Sequence, residues 1–320
     1  MRERLIIGSR GSQLALWQTN FVRHQLARMA PMPIEIATIK TTGDKHLETP
    51  IAQLDKGMFV KEIERALLSG EIDLAVHSMK DLPTEIPSGL TIAAVCARHD
   101  VRDCFISRDG ATLQSLAPGS RIGTSSLRRR AQLRYRRSDL EFADIRGNVD
   151  TRWRKLREGL FEAIVLAKAG LDRLGWADQI TEVLSTEIVL PAVGQGALGI
   201  EARAEDMETL SLLEPLNHPP TNAAVMAERA LLGHLEGGCQ VPIGAWGRVE
   251  DGRLILEGCV ISLDGETIIR DSISGLTEDS VALGARLAEK LLARGADRIL
   301  AEVNAYRRAQ EHVGPETFES

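Results

Sequence analysis

His77-Ser78-Met79-Lys80-Asp81-Leu82-Pro83 gathers an imidazole, a hydroxyl, an ammonium and a carboxylate directly after the apolar run Ile72-Asp73-Leu74-Ala75-Val76. That run reads as a buried strand, and open α/β sheets bind ligands at the carboxyl ends of their strands. A carboxylate at Asp81 could move a proton or stabilise a developing positive charge. It could equally cap a turn before Pro83. His77 reads as a structural histidine rather than a base.

Cys239 lies in Gly237-Gly238-Cys239-Gln240-Val241-Pro242. The flanking glycines and proline indicate an open loop, in which a thiol could carry a covalent adduct. A free cysteine can also be a small buried hydrophobe. The other cysteines, Cys96, Cys104 and Cys259, show no C-x-x-C spacing, so neither a zinc site nor a disulfide framework is expected, and no metal.

The chain has 320 residues and a net charge of −6, yet residues 121–157 hold eleven arginines and Lys155 against four acids. Arginine's planar fork suits carboxylates and phosphates. Three readings fit this stretch: a solvated basic helix, a nucleic-acid surface, or a cleft for a small polyanion. Aromatic residues are sparse in it and the rest of the chain is acidic, which disfavours nucleic acid.

Two similar units position these groups. Leu5-Ile6-Ile7 followed by Gly8-Ser9-Arg10-Gly11-Ser12 reads as strand then turn, and a helix follows from Gln13 with Leu14, Trp17 and Phe21 on one face. Arg121-Ile122-Gly123-Thr124-Ser125-Ser126 and Leu127-Arg128-Arg129-Arg130 repeat the pattern. Glycine allows close approach, serine caps the helix, and the exposed N–H groups favour anions. Arginines in a first helical turn oppose the macrodipole by about 0.3–1 kcal/mol each, a penalty that a bound carboxylate would offset. Two such turns suggest two α/β lobes facing one cleft.

Further buried strands, expected to be parallel, are Ile34–Ile39, Ile72–Val76, Leu90–Val95, Phe142–Ile145 and Ala163–Leu166, with helices over Lys61–Leu68 and Val149–Arg157. Gly194-Gln195-Gly196-Ala197-Leu198-Gly199 matches the dinucleotide pattern G-x-G-x-x-G. However, Ile200-Glu201-Ala202 reads as a strand, and Pro219 stands where the acidic partner should be. A cleft-lining loop whose chain crosses back to the first lobe fits better. Beyond residue 217, a helix over Thr221–Leu235 precedes three alternating strands, Ile243–Val249, Arg253–Ser262 and Glu266–Ser274, joined at Asp251-Gly252 and Asp264-Gly265, and a final helix near Asp279–Ala293. Residues 41–60 have no clean period and read as a long connection. No apolar run approaches a membrane span, and the short apolar stretch at the N-terminus does not read as a signal peptide, so a cytoplasmic protein with no membrane partner is expected.

In combination these motifs are specific. Gly8–Ala15, His77–Asp81, Gly123–Arg129, Arg146–Arg152, Pro191–Gly199 and Gly237–Pro242 resemble, in order, the hydroxymethylbilane synthase (porphobilinogen deaminase) family over essentially the whole chain. The resemblance implies a transferase that condenses four porphobilinogen molecules, with loss of ammonia, and releases hydroxymethylbilane for haem and other tetrapyrroles. Its cofactor would be a dipyrromethane joined by a thioether to Cys239. Asp81 would be the catalytic residue. Ser78, Lys80, Ser126, Arg128, Arg129 and Arg146 would bind the cofactor, and Arg10, Ser12, Arg152, Arg173 and Gln195 the substrate. The resemblance also implies two periplasmic-binding-protein-like α/β lobes with a hinge (1–97 with 197–216, and 98–196). A small C-terminal α+β domain with a three-stranded antiparallel sheet (217–320) would complete a monomer that binds no nucleic acid. The competing reading is a non-enzymatic two-lobed protein for small polyanions.

Overall fold

The computed structural model describes residues 3–30, 32–45, 60–235 and 241–312. The first lobe is built from β1 (Leu5–Ser9), α1 (Gln13–Leu26), β2 (Ile34–Thr38), a short α2 (Thr42–Lys45), α3 (Lys61–Ser69), β3 (Leu74–Ser78) and β4 (Leu90–Val95). The chain then crosses to the second lobe: β5 (Asp103–Ser107), β6 (Arg121–Gly123), α4 (Leu127–Arg136), β7 (Glu141–Ala143), α5 (Val149–Arg157), β8 (Ala163–Ala167), α6 (Lys168–Arg173) and β9 (Glu182–Val183). It returns as β10 (Leu198–Arg203), followed by α7 (Met207–Leu213). The C-terminal unit comprises α8 (Pro219–His234), β11 (Ile243–Glu250), β12 (Arg253–Ile261), β13 (Ile268–Leu276), α9 (Ser280–Leu291) and α10 (Asp297–His312).

The two lobe sheets have the same plan. Their strand orders are β2-β1-β3-β10-β4 and β7-β6-β8-β5-β9. In each, three parallel strands are followed by an antiparallel strand that the crossing chain supplies, β10 in one and β5 in the other. Of the strands expected to be parallel, β2, β3, β7 and β8 have parallel partners, whereas β4 pairs antiparallel with β10. Two crossovers tie the lobes together, and a strand arriving from the opposite lobe runs against its neighbours. β4 and β9 pair antiparallel with those strands at the sheet edges. β5 is not among the strands expected from the sequence, although Cys104, Phe105 and Ile106 are fully buried or nearly so. The strand after Gly199 is confirmed, and with it the rejection of a dinucleotide fold.

α1 starts at Gln13, and its Ser12 cap accepts from the Ala15 N–H at 3.3 Å. Its buried face is Gln18, Thr19, Val22 and Leu26 rather than the Leu14, Trp17 and Phe21 stripe, which stays half-buried. That stripe meets the other lobe: the Arg173 guanidinium on α6 lies 5.9 Å from the Trp17 ring centroid.

In the C-terminal unit, β11, β12 and β13 form an antiparallel sheet under α8 and α9. Asp251 and Gly252, at φ +48° and +75°, make the primed turn that a two-residue hairpin demands. The unit has one more helix than expected. Gly295, at φ +100°, breaks the helical run after α9, and α10 then packs Ile299, Leu300 and Val303 into the same core. Among the described residues, no helix is long and apolar enough to cross a membrane.

Candidate active site

β3 ends at Ser78 and passes into a tight 3₁₀ turn, Met79–Asp81. Met79 is buried and anchors the turn, while Asp81 is exposed. Opposite lies the Gly194-Gln195-Gly196 turn, whose glycines are dictated by contact. Gly194 has φ +71°, and a Cβ on it would lie 2.7 Å from Met79 Cβ. A Cβ on Gly196, at φ +90°, would lie 2.6 Å from the His99 carbonyl oxygen.

Between these turns is a cavity of about 250 Å³. It is lined by Lys80 and Asp81, by Ser126, Arg128 and Arg129 at the start of α4, by Gln195, and by Arg229, Val241 and Ile243. Ser126 caps α4, accepting from the Arg129 N–H at 3.4 Å. Six of the residues expected to bind or react therefore share one wall system, to which all three units contribute.

The carboxylate that offsets the arginines of α4 belongs to the protein itself. Asp103, fully buried at the start of β5, accepts from Arg128 Nη1 at 2.8 Å, Arg129 Nη2 at 2.7 Å and Gln195 Nε2 at 3.0 Å. Burial raises its carboxyl pKa, but the two guanidinium groups outweigh this and hold it well below the usual range. The macrodipole argument for a bound ligand is corrected accordingly. Two guanidiniums against one carboxylate still leave a net positive charge on this wall. Asp103 is invisible to motif reading because only the crossover brings it against α4.

Burial, reinforced by Arg129 and Arg128, lowers the pKa of Lys80 to about 8 despite the opposing carboxylates of Asp81 and Asp103. Burial and the nearby cations of Arg129 and Arg146 bring Arg152 down to about 10, with Asp81 acting the other way. Arg152 Nε donates to the Gly147 carbonyl at 2.9 Å, and burial also lowers the Arg146 pKa. Arg173, on α6, donates from Nη2 to the Gly196 carbonyl at 2.8 Å, its Nε is buried without a partner among the described residues, and burial lowers its pKa to about 10. Gln195 Oε1, beside the cavity, is likewise a buried acceptor without a partner among the described residues.

Arg10, Ser12, Ser78, Arg146, Arg152 and Arg173 do not line this cavity. Ser78 Oγ accepts from Gln18 Nε2 at 2.8 Å. His77, as expected, is structural: it is buried, and its Nε2 lies 3.0 Å from Glu201 Oε2. Residues not anticipated from the sequence tie the walls together. Glu228, fully buried on α8, pairs with Arg98 at 2.5 Å and accepts from the Gly194 and Gly247 N–H groups at 2.6 and 2.7 Å. Arg229 Nη2 donates to the carbonyls of Pro83 and Thr84 just beyond the Asp81 turn.

Cys239 lies outside the described residues, as do residues 46–59 of the long connection. Val241, two positions further on, lines the cavity. The other three cysteines are buried free thiols, which burial pushes up to about 11, 12 and 11 for Cys96, Cys104 and Cys259.

Residues 5–211 match the family model described as porphobilinogen deaminase, dipyrromethane cofactor binding domain. The chain belongs to the porphobilinogen deaminase family. Residues 222–293 match the C-terminal domain of the same family. A porphobilinogen deaminase of Trichlorobacter lovleyi is 55% identical over 97% of this chain and 99% of its own length. One of Geobacter sulfurreducens is 55% identical over 94% and 95%. Porphobilinogen deaminase family members are transferases, so the non-enzymatic polyanion-binding reading is not favoured. Solved structures similar in shape include the periplasmic VFT2 domain of Bordetella pertussis BvgS, at 15% identity and TM-score 0.38, covering 66% of this chain and 84% of that one. The ancestral amino acid-binding protein AncCDT-1 matches at 14% identity and TM-score 0.37, covering 67% and 88%.

Proposed function

We propose that the cavity between the Asp81 and Gln195 turns is where this chain condenses porphobilinogen. The observation that carries the reading is a single exposed carboxylate, Asp81, on a wall whose other charged residues are Lys80, Arg128, Arg129 and Arg229. Porphobilinogen bears two carboxylates and becomes a cation once ammonia is lost. The cationic walls suit the carboxylates, and Asp81 suits the cation.

The residues present fit a dipyrromethane. Lys80, Ser126, Arg128 and Arg129 offer charged or hydroxyl donors to its carboxylates, and the unpartnered Gln195 Oε1 is an acceptor suited to a pyrrole N–H. We assign Arg146 and Ser78 to the same role on the family resemblance. When bound through a thioether to Cys239, the group supplies the nucleophilic pyrrole carbon on which the product is built. Asp81 holds the developing positive charge on substrate and pyrrole nitrogen and takes up or returns a proton there. Arg10, Ser12, Arg152 and Arg173 orient the carboxylates of incoming substrate, a role supported by the burial of Arg152 and Arg173.

We place the unit boundaries at 1–97 with 197–216, 98–196 and 217–320, on the strength of sheet membership. A monomer remains part of the reading that the family resemblance implies. A cytoplasmic setting is supported by three buried, unbridged cysteines. The acidic surroundings of the basic stretch argue against nucleic acid.

Intact mass tests the reading. The purified protein should exceed its sequence mass by two deaminated porphobilinogen units, and Cys239→Ala should not. If wild type is unmodified, incubation with porphobilinogen must add the same increment; no gain in mass would overturn the proposal.

A further inference from the structure

A second cavity, of about 640 Å³, lies between the second lobe, with the crossover that leads into it, and the C-terminal unit. The first crossover contributes Arg98, Val101 and Arg102 to its wall, and β11 contributes Trp246, Arg248 and Val249. This volume is in the range of small-molecule sites. The Arg248 guanidinium lies over its neighbour, with Cζ 4.4 Å from the Trp246 ring centroid. Its Nε donates to Glu250 at 2.6 Å, while its Nη1 is buried and has no hydrogen-bond partner among the described residues. Arg102 gives Nε and Nη2 to Asp100.

The charges at this junction are nearly balanced. Arg98 is paired with Glu228, Arg102 with Asp100 and Arg248 with Glu250. A highly charged phosphate or a nucleic acid would gain little here. A ligand with one or two carboxylates on a flat apolar body matches the wall better: an acceptor for the guanidinium edge, and a ring against Val101, Val249 and the Arg248–Trp246 pair.

We propose that this second cavity binds a small aromatic carboxylate and is linked to the candidate active site through Arg98. Arg98 lines the cavity, donates from Nε to the Gln195 carbonyl at 2.8 Å and from Nη1 to the Gly247 carbonyl at 3.3 Å. Occupancy would therefore bear on the turn that carries Gln195. The inference goes beyond the proposed catalytic role and does not depend on it.

Calorimetric titration of the purified protein with phthalate (benzene-1,2-dicarboxylate) tests it. Binding should be saturable, should weaken at least about tenfold in R248Q, as loss of a charged hydrogen bond predicts, and should be unchanged in R152Q. Inorganic phosphate should not compete. Phthalate should also change tryptophan fluorescence, and W246F should abolish that change; this arm stands if R248Q does not fold. Equal binding by R248Q and wild type would overturn the proposal. So would loss of binding in R152Q alone, which places phthalate in the active-site cleft, or no saturable binding in the millimolar range.

Discussion

Arg129 grips Asp103 with two nitrogens on one oxygen: Nε at 3.0 Å and Nη2 at 2.7 Å from Oδ1. Arg128 takes Oδ2 at 2.8 Å. The first residue of β5 thus fixes the first turn of α4, and with it the cationic wall of the active cavity. Removing one partner from a buried ion cluster costs about 3–5 kcal/mol. Asp103→Asn should lose stability of that order, measured by urea unfolding, and should raise KM because both guanidiniums lose their orientation. Wild-type stability would show that the arginines are held by their carbonyl partners alone.

Asp81→Asn keeps shape and removes charge. Asp81 is exposed on a turn anchored by buried Met79, so the fold should persist. Turnover should fall by about 10²–10⁴-fold, the usual contribution of a positioned proton-transfer group. Initial-rate assays with circular dichroism on the same samples read both halves. Near-normal kcat would remove Asp81 from the chemistry.

Lys80 predicts a pH dependence of substrate affinity. Its ammonium, lowered to about 8 by burial and by Arg129 and Arg128, loses its proton as pH rises through that value. A bound carboxylate stabilises the charged form, so affinity is full below about 8 and declines above it. KM measured from neutral to alkaline pH should therefore climb, and Lys80→Met should flatten that climb. An unchanged climb in the variant would assign it to another group.

Thiol labelling separates Cys239 from the other cysteines. Cys96, Cys104 and Cys259 are buried, with thiols pushed to about 11 or 12, so they should resist iodoacetamide in the native protein. Protein carrying its cofactor should gain three labels only after unfolding, and apoprotein a fourth at Cys239. Four labels on unfolded holoprotein would exclude the thioether.

Glu228→Gln tests the junction. Glu228 is fully buried and holds Arg98, Gly194 and Gly247 together. Its loss should cost about 3–5 kcal/mol. Glu35→Gln breaks the exposed Arg4–Glu35 pair, at 3.4 Å, and should cost under about 1 kcal/mol. Similar urea midpoints for the two variants would contradict this ranking.

The strand–turn–helix units at Gly8–Ser12 and Gly123–Ser126, the 251–252 hairpin and the His77–Asp81 turn were legible from sequence because each rests on local rules: periodicity, capping and glycine's conformational freedom. The family was legible from motifs in order. What sequence could not provide was partnership across the crossovers. Hydrophobic period says that a strand is buried but not which way its neighbour runs, so β5 and β10 came out antiparallel. A buried acid such as Asp103 or Glu228 looks like any surface acid until the chain returns to place cations against it. Likewise, the Leu14, Trp17 and Phe21 stripe signalled contact but not with what; Arg173 of the other lobe supplies the answer. Local chemistry was set by the sequence, whereas the pairing of charges far apart in the chain was decided only when two lobes and a third unit closed around one cavity.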